Sequence, residues 1–381
     1  MKGRDTDRSV DLLFDARHID QSGIGTYIGV QIRALEDGFA QHRRTLAVLA
    51  DRDSVPSVRE STKIVFSEPS DAPMYSVAEQ RVWDRAVRET RPRAIWVPHY
   101  PLPFTLLCPD HRGIITFSTV HDDTHLLPQS ISGIAPVRRL YARAMLSIVA
   151  RRACTIFTPS QAAADALAKH ARTAQFVVTP IPVSDTWFEP ADPRKRPVQG
   201  RYVLYLGNVK RHKNLPTLLA AYEEVQHTIP QKLVLAGSGA SVRMLDERVR
   251  TKAAELGDRV QMIGRLEFDD LRSLVAGADL LVMPSFNEGA GLPPLEAMAS
   301  HTAVLCSDIP SLRETCGDGA EFFDPHQPRK LAKLMVAYCR DDSARADLAA
   351  RGWAHVTGRQ GHISAGAAAD AILAKLEQCP A

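Results

Sequence analysis

The residues whose types and spacing best suit chemistry lie in the stretch 284–299. Glu288 and Glu296 occur there, with Gly289 and Gly291 between them. Glycines let the backbone come close to a ligand, and the N–H groups at the start of a helix attract an anion. Two carboxylates beside such a site would repel the anion, so we expect them to bind hydroxyl groups. A ligand that carries both phosphates and many hydroxyls is a nucleotide sugar.

The elements that must position this loop are a strand before it and a helix after it. The run 279–283 is apolar and bounded by a turn signal, which predicts a buried strand. Pro293-Pro294 suits the first turn of a following helix. A glycine loop between strand and helix is also ordinary in α/β proteins, and Glu296 could simply complement the helix dipole. Local chemistry leaves both interpretations open.

The composition narrows the class of protein. A length of 381 residues favours two domains. The 47 basic and 44 acidic residues leave a net charge of only +3, so nucleic acid is not indicated as a partner. The six cysteines include no Cys-x-x-Cys pair, which argues against zinc and against a disulfide framework. A charged N-terminus and the lack of a run of transmembrane length predict a soluble, cytoplasmic protein.

Strand and helix patterns alternate along the chain in two series. The proline-rich stretch 180–200 between them sustains neither periodicity, so it predicts an interdomain linker. The predicted fold is therefore α/β, with two doubly wound, Rossmann-like domains facing each other across a cleft. The predicted boundaries are 1–182 for the first domain, 183–200 for the linker, 201–355 for the second domain and 356–381 for a C-terminal helix.

A glycine pattern near the N-terminus imitates a dinucleotide-binding fingerprint. Gly23, Gly25 and Gly29 follow the first predicted strand, 10–14, but eight residues separate Gly23 from the strand. The fingerprint requires its glycines immediately after the strand, to make the tight turn onto the helix. We therefore reject a dehydrogenase and predict a flexible loop at the carboxyl edge of the sheet.

Histidines follow two predicted strands of the first domain. His99 comes after the strand 94–98, and His121 comes after the strand 113–120. Ligands of an open parallel sheet bind beyond the carboxyl ends of its strands, so both histidines lie where chemistry is expected. Each could also cap a turn by hydrogen bonding, and position alone does not decide between these roles.

Loops of the second domain bring cations and further glycines to strand ends. Lys210, Arg211 and Lys213 follow one predicted strand, and such cations suit the oxygens of a diphosphate. Other strand-end positions are Gly207, Gly237, Gly264 and Arg265. No Asp-x-Asp motif ends a strand, and no acidic cluster has metal-ligand spacing, so we expect no divalent metal to be required.

The segment 137–152 predicts a basic amphipathic helix, with Leu140, Ala144 and Ile148 on one face. Such a helix could pack on its own sheet or lie on an anionic membrane. The second alternative predicts peripheral contact with the inner face of a membrane.

These residues together resemble the family 4 retaining glycosyltransferases of the GT-B fold, over residues 11–324. The most specific part is Glu288-x7-Glu296 within Glu-Gly-x-Gly-Leu-Pro-Pro-Leu-Glu-Ala-Met, combined with Gly207-x5-Lys213-Asn-Leu. Weaker support comes from the stretches 22–27, 119–122, 158–160 and 237–239. Within the family, the stretch 22–27 and the loop at His99 look most like mannosyltransferases that build bacterial surface polysaccharides.

The resemblance implies a nucleotide-sugar donor in the second domain and an acceptor bound mainly by the first domain, onto which the end of the chain returns. Carried over by position, Lys213 contacts the diphosphate, Glu296 the ribose and Glu288 the transferred sugar. His121 lies beside that sugar. The expected donor-binding residues are Gly23, Gly207, Arg211, Lys213, Gly237, Arg265, Glu288, Gly289, Gly291, Leu292 and Glu296. The expected acceptor side comprises Tyr27, His99 and Tyr100, with no metal and no other cofactor.

The sequence departs from the family pattern at two positions. Asn208 stands where many relatives have an arginine, so Arg211 or His212 is expected to supply the second cation. Ala290 replaces the more common phenylalanine, which would change the packing around the sugar.

The expected function is transfer of a hexose from a nucleotide diphosphate sugar to a hydroxyl group, with retention at the anomeric carbon. Mannose from GDP-mannose is the first choice of donor, and a glycan, a lipid-linked sugar or a small molecule is the acceptor. Two alternatives stay open. One is a sugar-nucleotide 2-epimerase of the same fold, and the other is an inactive subunit that binds glycans or a partner transferase.

Overall fold

The computed structural model describes residues 9–21, 23–73, 76–100, 102–237 and 247–379. Within these ranges the chain forms two parallel sheets with helices between the strands. The strands are β1 Leu12–Asp15, β2 Leu46–Ala50, β3 Lys63–Phe66, β4 Ala94–Val97, β5 Ile115–Thr119, β6 Thr155–Thr158, β7 Phe176–Val178, β8 Tyr202–Leu206, β9 Lys232–Ala236, β10 Val260–Ile263, β11 Leu280–Met283, β12 Ala303–Ser307 and β13 Glu321–Phe323. The helices are α1 Ile24–Gln41, α2 Val77–Thr90, α3 Gln129–Ser132, α4 Pro136–Arg152, α5 Gln161–Ala168, α6 Leu215–Val225, α7 Glu247–Glu255, α8 Phe268–Ala276, α9 Leu292–Ala299, α10 Pro310–Cys316, α11 Pro328–Arg340, α12 Asp342–Gln360 and α13 Ala367–Gln378.

Both sheets have a doubly wound strand order, which confirms the predicted fold class. The first sheet has the order β3-β2-β1-β4-β5-β6-β7, and the second has the order β10-β9-β8-β11-β12-β13. The direction of winding therefore reverses between β1 and β4 and again between β8 and β11. Ligands of such sheets bind at these switch points, beyond the carboxyl ends of the strands.

The central strands are buried on both faces, which explains why their sequences show continuous apolar runs. Every residue of β1, β4, β8 and β11 is buried. A parallel strand covered by helices on both sides has no solvent-facing positions to alternate with buried ones. The strands predicted at 94–98 and 113–120 are confirmed as β4 and β5.

The chain divides into two compact units. Unit 1 contains the described residues of Met1–Asp123, Val137–Ile181 and Ser364–Ala381, and unit 2 contains those of Thr124–Pro136 and Pro182–Ile363. The segment Thr124–Pro136, which the sequence places in the first domain, thus clusters with unit 2. Its short helix α3 contacts the 3₁₀ turn Arg211–Lys213.

The proline-rich stretch at 183–200 is part of unit 2 and is not a free linker. Val183, Trp187 and Val198 are buried in the hydrophobic core of unit 2. Prolines prevent a regular helical or strand period, but they do not prevent individual apolar side chains from entering a core. The sequence therefore predicted the irregular backbone of this stretch and missed its burial.

The end of the chain returns to unit 1. Helix α12 ends at Gln360 in unit 2, and α13 lies in unit 1 against α1. A Cβ atom placed on Gly38 of α1 would lie 3.2 Å from Leu373 Cδ1 of α13, so the two helices are in close contact. The predicted C-terminal helix 356–381 therefore consists of the last turn of α12 and a separate α13.

Helix α4 buries the row of side chains next to the row that the sequence pattern singled out. Its buried residues are Ala142, Met145, Leu146, Val149 and Ala150, whereas Leu140 is 69% exposed. The pattern of Leu140, Ala144 and Ile148 follows one row of the helix, but the neighbouring row is the buried one. None of the described helices is both long enough and apolar enough to cross a membrane.

Candidate functional site

Two loops of unit 2 meet at its switch point, because the strands that precede them are neighbours in the sheet. The loop 207–214 follows β8, and the loop 284–291 follows β11. The backbone N–H of Phe286 donates to the carbonyl of His212 at 2.8 Å, and the Asn214 amide donates to the carbonyl of Pro284 at 2.9 Å. These bonds hold the two loops together before any ligand binds.

An ion pair joins the tips of these loops. The Lys213 Nζ atom lies 2.7 Å from Glu288 Oε1 and 2.8 Å from Glu288 Oε2. The Ser285 hydroxyl donates to Glu288 Oε1 at 2.6 Å. The side chains of Lys213 and Glu288 are 18% and 8% exposed, so the ammonium group remains reachable from solvent. A phosphate oxygen could therefore bind the ammonium without a large movement of the loop.

The glycine loop begins helix α9, as the sequence predicted. Gly291 has φ 63° and ψ 45° and is the N-cap of α9. A Cβ atom at this position would be strained by the positive φ and would lie 2.7 Å from Leu312 Cδ2, so a larger residue would also displace the Leu312 side chain. The amides at the start of α9, including those of Gly291 and Leu292, form the positive end of the helix dipole and suit an anion.

Glu296 lies one turn further along α9. Its side chain is half-buried, and its carboxyl oxygens have no hydrogen-bond partner among the described residues. Burial raises the pKa of this carboxyl to about 7. A ligand hydroxyl that donates to Glu296 would give this carboxylate a hydrogen-bond partner.

Glycines at the ends of β8 and β9 make a backbone contact with each other. A Cβ atom on Gly237 would lie 2.2 Å from the carbonyl oxygen of Gly207, and φ is 150° at Gly237. These glycines therefore allow two loops of the protein to approach each other closely. The adjacent Ser238 and Gly239 lie outside the described residues.

The remaining cations predicted at this edge are exposed. Arg211 and Arg265 are both exposed, while His212 is buried. Of the two candidates for the second cation, Arg211 is thus the one whose charged group reaches solvent.

In unit 1, His121 contacts a backbone carbonyl and an aromatic ring. Its Nε2 atom lies 2.9 Å from the carbonyl oxygen of Pro98, and its ring meets the ring of Tyr27 edge-on at 5.0 Å. Burial lowers the pKa of His121, so the imidazole is neutral at pH 7. A carbonyl oxygen only accepts, which places the proton on Nε2 and leaves Nδ1 as an acceptor.

The three residues expected on the acceptor side are engaged within unit 1. The Tyr27 ring is fully buried and its hydroxyl lies 2.9 Å from Thr179 Oγ1. His99 is 4% exposed and bonds Asp15, while the Tyr100 hydroxyl donates to the carbonyl of Ala142. Gly23, by contrast, is exposed with φ 76° at the N-cap of α1.

Several residues that shape the site were missed from sequence. Ser285 lies within the stretch 284–299 and Asn214 within the motif Gly207-x5-Lys213-Asn-Leu, so the sequence contained a signal for both, but neither was assigned a role. Asn287 donates to Thr124 Oγ1 at 3.0 Å. No pattern in the sequence connects these two residues, because 163 positions separate them.

The two doubly wound parallel sheets define the class of this protein as a two-domain α/β protein of the GT-B fold. Residues 189–354 match the family model described as "Glycosyl transferases group 1", which corresponds to glycosyltransferase family 4, so this part of the chain is similar to that family. The resemblance stated from sequence is thereby confirmed.

Two curated relatives are bacterial mannosyltransferases. The O-antigen chain mannosyltransferase B of Escherichia coli is 35% identical over 40% of this chain and 40% of its own length. The O-antigen chain mannosyltransferase RfbU of Salmonella typhimurium is 29% identical over 58% of this chain and 61% of its own length. The matches thus span less than two thirds of either relative.

A solved structure shares the fold over nearly the whole chain. The Anabaena protein HepE, crystallised in complex with UDP-glucose, is 16% identical, with a TM-score of 0.70 over 97% of this chain and 100% of its own. At this level of identity the likeness establishes the fold alone.

Proposed function

We propose that the protein is a retaining glycosyltransferase that transfers mannose from GDP-mannose to a hydroxyl of a glycan or lipid-linked acceptor. The observation that carries the proposal is the cluster of Lys213, Glu288 and Ser285 beside the N-terminus of α9, at the switch point of unit 2. This cluster combines a reachable cation, a carboxylate and free amides, which are the groups that a sugar diphosphate requires.

The donor is expected to bind along these loops. Lys213 and the amides of Gly291 and Leu292 neutralise the diphosphate, since cations and helix N-termini both stabilise phosphate oxygens. Glu296 accepts hydrogen bonds from the ribose hydroxyls, which gives its carboxyl the partner that it lacks within the described chain. Glu288 accepts hydrogen bonds from the hydroxyls of the transferred sugar.

The transfer is proposed to occur on one face of the sugar. The bond between the anomeric carbon and the diphosphate oxygen breaks, the acceptor oxygen forms the new bond on the same face, and the departing phosphate oxygen takes the acceptor's proton. Lys213 and the α9 amides stabilise the charge that develops on the phosphate. Glu288 positions the sugar and is not a nucleophile.

The choice of mannose rests on the names of the relatives. Both curated proteins described above are O-antigen mannosyltransferases. HepE binds UDP-glucose, so a uridine diphosphate sugar is the competing donor. The structure of unit 2 supports a diphosphate and a hydroxyl-rich sugar but does not distinguish the bases.

The proposal is tested by incubating the full chain with each nucleotide sugar and an oligosaccharide acceptor that ends in mannose. Release of GDP together with an α-linked mannosyl product, detected by mass spectrometry and NMR, would support it. Conversion of the nucleotide sugar without acceptor would identify a 2-epimerase. Binding of GDP without any turnover, over a panel of glycan and lipid-linked acceptors, would identify a binding subunit.

We also propose that the N-terminal half of α4 contacts an anionic membrane surface. Val137, Leu140 and Tyr141 are 79%, 69% and 44% exposed, although they are large and apolar. The same helix carries five arginines and no acidic residue (Arg138, Arg139, Arg143, Arg151 and Arg152). Exposed apolar side chains beside cations are typical of helices that bind anionic lipid.

Membrane contact is tested by sedimentation with phosphatidylglycerol vesicles at two salt concentrations. Leu140→Ser should weaken binding several-fold, and higher salt should weaken binding of the unsubstituted chain. Val77→Ser is the control, because Val77 is 72% exposed on α2 of the same unit and is not part of the arginine-rich helix. Equal loss in both variants would contradict a role specific to α4.

A further inference from the structure

A cluster of buried polar side chains occupies the switch point of unit 1. Asp15 ends β1, and Arg17 and His18 follow it in the loop to α1. His99 follows β4, and Glu79 lies in the first turn of α2. All five are buried. Because these side chains are buried, their polar atoms need hydrogen-bond partners or a bound ligand inside the protein.

Three members of this cluster have the arrangement of a metal site. One ligand atom from each of His18, Glu79 and His99 lies within 4.8 Å of the other two. Among the residues that the structure describes, no other group of three or more histidine, cysteine, aspartate or glutamate side chains is arranged in this way. The three residues come from three different elements, so a shared ligand would join the β1 loop, α2 and the end of β4.

Two imidazole nitrogens in the cluster have no hydrogen-bond partner within the described chain. They are His18 Nε2 and His99 Nδ1, on side chains of residues that are only 8% and 4% exposed. An unpaired buried polar atom destabilises a fold, so two in one place call for an explanation. Their rings meet edge-on with centroids 4.9 Å apart. Both unpaired nitrogens therefore lie in the same small region.

The other nitrogen of each ring is held by a neighbour. His99 Nε2 lies 3.0 Å from Asp15 Oδ2, and His18 Nδ1 lies 3.0 Å from the Gln21 amide nitrogen. A metal-binding histidine usually donates its second ring N–H to a carboxylate or carbonyl, which orients the ring and leaves the first nitrogen free for the metal. Asp15 meets this requirement for His99. Gln21 meets it for His18 once its amide is turned so that the oxygen faces Nδ1, an assignment that heavy atoms alone do not distinguish.

The charge of the cluster also suits a cation. Asp15 and Glu79 share one guanidinium, since Arg17 Nη2 lies 2.8 Å from Asp15 Oδ2 and 3.1 Å from Glu79 Oε1. Two carboxylates and one guanidinium leave a net negative charge, and a carboxylate oxygen that accepts from arginine retains a further lone pair. Two imidazoles and one carboxylate are ligands typical of zinc, whereas magnesium and calcium prefer oxygen alone.

We propose that His18, His99 and Glu79 bind a zinc-type divalent cation that fixes the loop between β1 and α1. Zinc-to-nitrogen bonds of about 2.0–2.1 Å place tetrahedral ligand atoms about 3.3 Å apart, so atoms separated by 4.8 Å must approach by roughly 1.5 Å. The loop that carries His18 packs closely on the start of α1. A Cβ atom on Gly25 of α1 would lie only 1.9 Å from the carbonyl oxygen of Ile19 in this loop. The cation is thus a structural element of unit 1, distinct from the diphosphate site of unit 2, and no step of glycosyl transfer uses it.

Binding is measured on the full chain after treatment with a chelator. Co²⁺ and then Zn²⁺ are titrated, with the visible absorption of bound Co²⁺ and calorimetry as readouts. One equivalent of either ion is expected to bind, Zn²⁺ is expected to displace Co²⁺, and Zn²⁺ but not Mg²⁺ should raise the melting temperature. His18→Gln and His99→Gln should each weaken binding by more than tenfold. His227→Gln is the matched control, because His227 is exposed on unit 2.

A second variant keeps the test decisive if a histidine variant does not fold. Gln21 is exposed, so Gln21→Ala should fold normally, yet it removes the group that orients His18. Loss of such an outer partner typically weakens metal affinity by about 10–100-fold. The proposal is overturned if the unsubstituted chain binds no stoichiometric Zn²⁺ or Co²⁺, or if Gln21→Ala and the folded histidine variants bind as tightly as His227→Gln. A negative result would leave the glycosyl-transfer assay unaffected.

Discussion

The switch points of the two units contain the same kinds of charge in different settings. In unit 2, Lys213 and Glu288 pair at 2.7 Å with side chains that are 18% and 8% exposed. In unit 1, Arg17 pairs with Asp15 and Glu79, and their side chains are 1%, 0% and 6% exposed. Both sets of charges lie at the carboxyl ends of central strands, but only the Lys213–Glu288 pair is exposed enough to meet a ligand as large as a nucleotide sugar.

The difference shows that charged residues at the switch point of a doubly wound sheet can either bind a ligand or stabilise the fold. A lysine ammonium is a compact charge on a flexible stem and can change partner, whereas an arginine guanidinium binds carboxylates through a rigid fork. Burial by itself would raise the pKa of Asp15. The positive charge of Arg17 and the hydrogen bond from His99 outweigh this effect, so the pKa of Asp15 is strongly lowered. We therefore expect changes in unit 2 to affect catalysis and changes in unit 1 to affect stability.

The largest expected effect is the loss of turnover when the ion pair of Lys213 and Glu288 is broken. Lys213→Ala and Glu288→Ala should each lower kcat by about 100-fold or more, because each removes a charge that we propose contacts the donor. Thermal melting should change little. Steady-state assays with the donor in excess measure the effect, and Lys232→Ala, exposed at the opposite end of β9, is the control. Turnover within a factor of two of the unsubstituted chain in both variants would remove these residues from the mechanism.

Removing Arg17 from its buried ion pairs with Asp15 and Glu79 should instead destabilise unit 1. Arg17→Met leaves two buried carboxylates without their cation, and removal of one partner of a buried pair costs about 3–5 kcal/mol. The control Arg88→Met removes an arginine that is 74% exposed in a pair with Asp84, for which we expect about 0–1 kcal/mol. Urea denaturation followed by circular dichroism compares the two. Equal midpoints would show that burial does not distinguish the two pairs.

The donor site should also respond to pH near neutrality. Burial raises the pKa of Glu296 to about 7, so its carboxyl gains a proton as the pH falls through that value. The neutral acid accepts hydrogen bonds less well than the carboxylate, so the Kd for GDP should rise by up to about tenfold per pH unit below pH 7. Glu296→Gln should abolish this step, while Glu255→Gln should not.

The same group makes a prediction about stability. A carboxyl with a raised pKa binds its proton more tightly in the folded state, so this contribution is present at low pH and is lost as the pH rises from about 4.5 to about 7. Calorimetric titration and thermal melting at pH 5, 6, 7 and 8 measure both effects. A donor Kd that is independent of pH in the unsubstituted chain would contradict ribose binding by the Glu296 carboxylate.

The smallest expected effect comes from the hydroxyl that orients Glu288. Ser285→Ala removes one hydrogen bond to the carboxylate and should lower kcat/KM by roughly 3–10-fold, with the loss mainly in kcat. Ser184→Ala, at an exposed position of the same unit, is the control. A change confined to KM would indicate that Ser285 supports donor binding and does not position the sugar for transfer.

The strands were predictable because a strand buried on both faces has a continuous apolar run in its sequence. The apolar runs of β8 and β11 read as buried strands without any tertiary information. The buried face of α4 was not predictable, because two neighbouring rows of that helix are apolar and only the tertiary structure decides which row is buried. Trp187 was missed for a similar reason, since an irregular backbone gives no period from which burial can be inferred.

The sequence by itself determined the kinds of group at the donor site, because Lys213, Glu288, Gly291 and Glu296 lie in two short, recognisable stretches. Only the tertiary structure decided which groups meet. The order of strands brings Lys213 to Glu288 across 75 residues, and it gathers His18, Glu79 and His99 from three elements with no common spacing. Local patterns record which residues a chain buries or exposes, whereas contacts between distant residues depend on the pairing of strands, and that pairing is a property of the whole sheet.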